Sequence, residues 1–323
     1  MNEPSAVRRR HLRFPPSRPP LGTARRLLHN MLGLILLPFA LVAAAMRGTP
    51  GLRIRLRCIA LGLRALARGE ARQAFGLIVN PMDSIRYFEL DFVESCVPQP
   101  VSGAYLDVSS PRLVFLTILD RQKSLVADVV NPIAGDLQES MALARALRLD
   151  RRCRPLRALI EEAGYADGSF DLVTSISVIE HIPGDRDAVA TMWSLLRPGG
   201  RLVITVPCAR EACEEYTNLD EYGLFDSSDE GLTYWQRYYD EEMLASRIWS
   251  VTGPPLRTRI YGETAPGNYD RNVMRKRTEP SYPYWLEPVM MGREYRYYDS
   301  IAALPGMGVI GMMFVKPGEA ERG

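Results

Sequence analysis

Hydrophobic and polar positions divide the chain into three stretches. From Met31 to Met46 sixteen residues carry no charge and almost no polarity, and the run extends back to Leu27 if His29 and Asn30 are included. A membrane-crossing helix needs about 20 apolar residues, so this run is marginal, and Pro38 interrupts it. Between Leu52 and Phe75, Leu56, Ile59, Leu63 and Leu66 recur at helical spacing among Arg53, Arg57, Arg64, Arg68 and Arg72, which predicts an amphipathic helical arm. Past Asn80-Pro81 the pattern alternates. A helix capped by Asp83 runs to Glu94, and the strand Ala104–Val108 ends in the turn Ser109-Ser110-Pro111. A helix from Pro111 to Leu119, a strand from Ser124 to Val130 ending functionally at Asp128, and a helix from Asp136 to Leu147 follow. Pro155 to Ile160 is a weaker third strand. Phe170 to Ile176 reads as a buried strand, Asp185 to Leu196 as a helix stopped at Pro198-Gly199-Gly200, and Arg201 to Val206 as a strand ended by Pro207. This alternation predicts an α/β fold with a doubly wound, mainly parallel sheet and helices on both faces, preceded by an N-terminal helical arm.

Composition adds little until it is split along the chain. With 323 residues, 46% hydrophobic and 24% charged, the protein is neither fibrous nor wholly disordered. The formal charge of +2 conceals a stretch of +12 up to Arg72, with 14 arginines against Glu3 and Glu70, and a remainder of −10. The basic stretch suits lipid headgroups or phosphates, although arginine is also simply the preferred cation of a chain with three lysines. Met1 to Pro20 is too polar to fold alone, and residues 1–26 read as a disordered basic tail. The leader before the apolar run is too long for a signal peptide. Arginines flank the run on both sides and set no orientation, so residues 27–75 read as attached to a cytoplasmic membrane surface rather than spanning it. Packing of these helices on the body is the alternative. Five scattered cysteines form neither a disulfide framework nor a zinc pattern, which suits a reducing cytoplasm.

In a doubly wound sheet, ligands sit beyond the carboxyl ends of the strands, where strand order reverses. Those ends hold Asp107, Asp128, Glu180 with His181, and Pro207-Cys208. Asp107 and Asp128 lie 21 residues apart, close to the interval at which such sheets offer an acid to ribose hydroxyls.

Phe170-Asp171-Leu172-Val173, Ser177-Val178-Ile179-Glu180-His181-Ile182 and Leu196-Arg197-Pro198-Gly199-Gly200-Arg201-Leu202 occur in an order and spacing that resembles the class I S-adenosylmethionine-dependent methyltransferases of small-molecule type. The resemblance covers about Tyr105 to Pro207, and Gly308 to Val315 resembles the family's last strand. It implies a Rossmann-like seven-stranded sheet over residues 81–323, with S-adenosyl-L-methionine as cofactor. Asp107, Ser109 and Ser110 would line its methionine end, Asp128 its ribose, and Ser175 to Ser177 the reacting methyl. Glu180 and His181 would be the catalytic pair, with His181 as base or as a loop-shaping hydrogen bonder. The chain departs from the family's glycine-rich loop, since serine holds the first glycine position and Pro111 lacks an N–H. Near Ala158-Leu159 an adenine-contacting Asp of many members is missing, leaving Glu161, Glu162 or backbone amides. Members that hold a metal place an acid before the Glu-His pair; Ser177 stands there, so no metal is expected.

Residues 210–300 lie outside the resemblance and hold 12 of the 15 tyrosines, a composition suited to stacking on rings and sugars or to an ordinary lid. The sequence therefore reads as a methyltransferase acting on a small-molecule acceptor, a saccharide or lipid-linked glycan, at oxygen. A non-catalytic binding or scaffold protein with an altered loop, and an RNA methyltransferase using the arginine arm, are the alternatives. The insertion has no basic stripe, so nucleic acid has no strong case.

Overall fold

The computed structural model describes residues 7–16, 19, 21–97, 103–220, 222–225, 227–228 and 230–318. In chain order its elements begin with β1 (Arg8–Leu12), α1 (Thr23–Met46), α2 (Leu52–Leu66), α3 (Ala71–Val79) and α4 (Arg86–Cys96). There follow β2 (Ala104–Val108), α5 (Leu113–Arg121), β3 (Val126–Val130), α6 (Ala134–Leu147), β4 (Cys153–Leu156), β5 (Phe170–Ile176), α7 (Asp185–Ser194) and β6 (Leu196–Cys208). The remaining part holds β7 (Cys213–Thr217), β8 (Thr233–Tyr238), α8 (Glu241–Leu244) running on to α9 (Ser250–Thr252), β9 (Arg257–Glu263), α10 (Asn268–Thr278), α11 (Glu287–Glu294), β10 (Tyr295–Tyr298) and β11 (Gly308–Val315).

Eight strands form the main sheet in the order β10-β9-β11-β6-β5-β2-β3-β4. The four pairs from β6 to β4 are parallel, and β11 runs antiparallel to both β6 and β9. Seven strands follow the expected doubly wound pattern, and β10 extends the edge beside β9. The chain winds outward from β2 to β4 and then restarts at β5, which puts the reversal of order between β2 and β5. Side chains alternate across the sheet. Tyr105, Leu172 and Val203 join one buried cluster, and Leu106, Val173 and Ile204 the other, as expected of strands covered on both faces.

Several expected boundaries move. Asp83 does not cap α4, because its carboxylate pairs with Lys276 at 2.8 Å, and the helix starts at Arg86. The strand holding Asp128 starts at Val126 and ends at Val130 as expected, which puts Asp128 at its middle and not at its carboxyl end. The third strand lies earlier, at Cys153–Leu156. Residues 210–300 do not all lie outside the core, since β9 is a central strand of the antiparallel half of the sheet. The tail is likewise not all without structure: Arg8–Leu12 pairs in parallel with β7 and completes a second sheet, β1-β7-β8. Residues 1–6, 17, 18 and 20 lie outside the described residues.

The helical arm is built into the body. Ile54, Cys58, Leu61 and Ala65 of α2 and Ala74 and Leu77 of α3 belong to the same buried cluster as α4 and α5. Buried Arg55 donates to the carbonyls of Ile78 (2.5 Å) and Val79 (3.4 Å), satisfying the open C-terminal end of α3. At the α1–α2 corner Gly51 has φ +71, and a Cβ there would sit 2.2 Å from the Tyr87 carbonyl oxygen, so the close approach requires glycine.

Candidate active site

The reversal point between β2 and β5 gathers the predicted residues of both strands. Asp107 is fully buried, and its Oδ2 accepts from Thr174 Oγ1 at 2.7 Å and from the Tyr105 hydroxyl at 3.1 Å. Its Oδ1 has no hydrogen-bond partner. Burial pushes this carboxyl up to about 6, while Thr174, Tyr105 and Ser110 pull it back. Ser109 takes the left-handed conformation, φ +51, that the family's glycine would hold. Its hydroxyl leans on the Val130 carbonyl at 3.3 Å, and the Ser110 hydroxyl accepts from the Ile176 amide at 3.1 Å. Ser175 is fully buried within β5, with no partner for its Oγ.

Beyond β5 the loop 177–184 is clasped from two sides. Ser177, also left-handed at φ +49, donates its hydroxyl to Glu89 of α4 and its amide to Thr205 Oγ1 at 3.1 Å. On the other side, the Tyr234 hydroxyl donates to the Glu180 carbonyl at 2.7 Å and Arg237 donates to the Pro183 carbonyl at 3.1 Å. His181 Nδ1 lies 2.6 Å from the Trp235 carbonyl. A carbonyl only accepts, so Nδ1 carries the proton, and Nε2 is the nitrogen that faces Glu180 Oε1 at 3.8 Å. Burial pushes Glu180 up to about 8, with Glu89 adding to the rise and Arg86 opposing it. The Glu180 carboxyl beside His181 is therefore protonated at neutral pH.

Asp128 does not join this group. Its Oδ2 takes a 2.7 Å ion pair from Arg154 on β4, and the Tyr165 hydroxyl reaches its Oδ1 at 3.4 Å. Asn131, just past the end of β3, is buried, and its Oδ1 accepts from the Ile133 amide at 2.8 Å. Glu89 and Arg86 are residues that pattern reading missed. Fully buried Glu89 ties α4 to the ends of β5 and β6, and its signal was an acid set between Phe88 and Leu90 in an apolar run. Tyr269 of α10 belongs to the same neighbourhood: burial and Glu215 raise its phenol, while Arg86 and Gln236 oppose. No local pattern marks it, because α10 reaches this place only through the fold. Among the described residues no three His, Cys, Asp or Glu side chains gather as metal ligands.

The loop after β2 fits a cofactor bound against backbone. The left-handed bend at Ser109 is retained, both serine side chains are turned onto β3 and β5, and the carboxyl beneath keeps an unpaired acceptor that a bound donor would satisfy. Pro111 gives one amide fewer than a glycine loop offers.

A family model described as a methyltransferase domain matches residues 121–204, from the end of α5 into β6. The chain is 24% identical over 127 residues to a ubiquinone biosynthesis O-methyltransferase of Xanthomonas axonopodis pv. citri (strain 306), covering 39% of this chain and 52% of that one. It is 32% identical over 107 residues to a tRNA U34 carboxymethyltransferase of Syntrophotalea carbinolica, with 32% of each covered. The chain thus spans only about a third to a half of these curated relatives. Geranyl diphosphate C-methyltransferase from Streptomyces coelicolor A3(2), solved with S-adenosyl-L-homocysteine, is a structural neighbour at TM-score 0.47 and 12% identity, covering 72% of this chain and 80% of that one. Over residues 121–204, from the end of α5 through β3, β4 and β5 into β6, the chain therefore matches a methyltransferase domain.

Proposed function

We propose that this protein transfers a methyl group from S-adenosylmethionine to a hydroxyl oxygen of a small-molecule acceptor, a saccharide or lipid-linked glycan, at the cytoplasmic face of a membrane. The Glu180–His181 pair beside the β2–β5 reversal point is the observation that carries this reading. When bound, S-adenosylmethionine supplies a methyl already activated on a sulfonium, so the chain's task is alignment and proton removal. Asp107, the Ser109–Ser110 backbone and the Ser177 loop would hold the cofactor. His181, with Nδ1–H held by the Trp235 carbonyl, would take the acceptor's hydroxyl proton at Nε2. Glu180, protonated at neutral pH, would place a neutral carboxyl 3.8 Å from this nitrogen and leave its lone pair to the acceptor. The aromatic cap from β7, β8 and α10 would supply the acceptor's binding faces. The helical arm, with its arginines and exposed apolar residues, supports membrane association.

Calorimetric titration with S-adenosylhomocysteine tests the reading. Wild type should bind, Asp107→Ala should lose binding while remaining folded, and His181→Ala should bind but fail to methylate extracted glycolipids. A saturating titration without heat or thermal shift would leave the non-catalytic binding protein as the better account.

A further inference from the structure

We infer that α1 to α3 form an in-plane docking face for an anionic lipid leaflet, with α1 lying along the membrane surface and not crossing it. This deepens the membrane association proposed above and rests on it only for the arm, not for the chemistry.

Helix α1 is one unbroken helix through Pro38. A narrow stripe, Gly33, Leu37, Ala40 and Ala44, is buried. It packs on the body: a Cβ at Gly33 would lie 2.6 Å from Trp285, and Leu37 shares a cluster with Trp285 and Val79. At the C-terminal end of α1, Thr49 donates to the Pro288 carbonyl of α11 at 2.8 Å. A helix clamped to the body along this stripe cannot stand across a bilayer without carrying the folded body into the hydrocarbon.

The rest of α1 faces outward and is apolar. Of the 18 large hydrophobic side chains exposed among the described residues, nine lie on α1, three on α2 and one on α3. Ile35 and Phe39 are 61% and 71% exposed. In the most apolar 18-residue window of α1 only 22% is buried, which is not how a core helix sits. On α2, Leu56 and Leu63 are exposed beside Arg53 and Arg64, an apolar row edged by cations.

Charge selects the occupant. Residues 23–79 hold nine arginines and one acid, Glu70. Buried Arg55, the Glu94-bound Arg57 and Arg64, which pairs with Asp120 at 2.8 Å, serve the fold, but Arg25, Arg26, Arg47, Arg53, Arg68 and Arg72 are exposed. A second copy of this face would meet the same excess of positive charge, whereas an anionic leaflet neutralises it while covering the apolar side chains.

Flotation of the full-length protein with phosphatidylcholine vesicles, with and without phosphatidylglycerol, is the test. Wild type should float with the anionic vesicles, and Ile35→Glu/Phe39→Glu should lower the bound fraction roughly tenfold with unchanged affinity for S-adenosylhomocysteine. Arg25→Glu/Arg26→Glu should weaken the preference for phosphatidylglycerol. In a Cys213→Ser background, Thr23→Cys and Arg47→Cys should both be labelled by an impermeant maleimide added outside sealed vesicles; protection of one of the two would show a spanning helix and overturn the inference. Wild type that binds S-adenosylhomocysteine but stays with the lipid-free fraction also overturns it, as does a dimer in light scattering that the Ile35→Glu/Phe39→Glu change dissolves. Flotation without S-adenosylhomocysteine binding would instead sink the catalytic proposal alone.

Discussion

Thr205 Oγ1 donates to Glu89 Oε1 at 2.8 Å, joining helix α4 to the carboxyl end of β6 inside the candidate site. The same carboxylate takes the Ser177 hydroxyl and pairs with Arg86. One buried charge thus holds a left-handed loop residue, a strand end and a guanidinium together. Glu89→Ala should cost about 3 kcal/mol by leaving Arg86 without its partner, measured as a shift in urea unfolding. Glu89→Gln keeps an acceptor for Ser177 and Thr205 and should cost less, while weakening S-adenosylhomocysteine binding through the loosened loop. Equal stability of wild type and the Ala variant would remove Glu89 from this role.

The raised carboxyls give stability a definite pH dependence. Glu180 is held at about 8 in the folded chain, well above its unfolded value, so the folded state binds more protons through the window between them. Stability should therefore fall as pH rises through that window and level off above about 8. Asp107, at about 6, adds a loss of the same sign over the lower part. Glu180→Gln should flatten the upper part of the curve, by on the order of 2–4 kcal/mol between its ends. Denaturant midpoints measured across this range check it, and parallel curves for the two proteins would show that Glu180 does not carry the slope.

How far local pattern reaches is visible in the strands. β2 and β5 occupy the expected residues, because each is an apolar run bounded by turns and buried on both faces, and β11 occupies those that the resemblance implied. Strand β1 escaped, since Arg8-Arg9-Arg10 has no apolar face. Its partners are Cys213, Glu214 and Glu215 about 200 residues away, and the pairing is partly one of charge. Strand β9 escaped for a similar reason, with Arg257 and Arg259 interleaved through a strand whose place between β11 and β10 only the tertiary fold supplies. The placement of Asp107 and of the Glu180–His181 pair at the carboxyl ends of β2 and β5 was legible because turn residues mark both strand ends. What the sequence does not show at Asp128 is its neighbour on β4, Arg154, whose guanidinium pairs with it across the sheet.

At Ser109 two small effects oppose. A non-glycine residue in the left-handed region costs about 1 kcal/mol, and the bond from its hydroxyl to the Val130 carbonyl returns roughly 0.5–1 kcal/mol. Ser109→Gly should therefore leave stability within about 0.5 kcal/mol and retain S-adenosylhomocysteine binding. Ser109→Val, with the same backbone bend, a branched side chain and no hydroxyl, should lose about 2 kcal/mol and bind more weakly. A Gly variant that binds no S-adenosylhomocysteine would mean that the hydroxyl itself, and not the bend, is what the cofactor site needs.

Arg10 brings the tail to the aromatic cap. Its guanidinium lies 3.2 Å from Glu215 Oε1 and also pairs with Asp270 of α10, so β1 bridges the second sheet and the helix that carries Tyr269. Glu215 is fully buried and otherwise rests on Gln236 (2.7 Å) and the Tyr238 hydroxyl (3.2 Å). Burial already raises Glu215, and removing Arg10 takes away the charge that opposes the rise. Arg10→Ala should therefore destabilise by about 1–2 kcal/mol near pH 8, a figure reduced because Arg10 is one-third exposed. The loss should shrink as pH falls and Glu215 takes up its proton, since a neutral carboxyl no longer needs the cation. In a Glu215→Gln background the same substitution should cost less and lose most of its pH dependence, leaving only the exposed pair with Asp270. Urea unfolding of the four proteins at about pH 8 and about pH 5 measures the coupling. A loss from Arg10→Ala that is the same at both values, with or without Glu215, would mean that β1 is held by its backbone ladder to β7 alone.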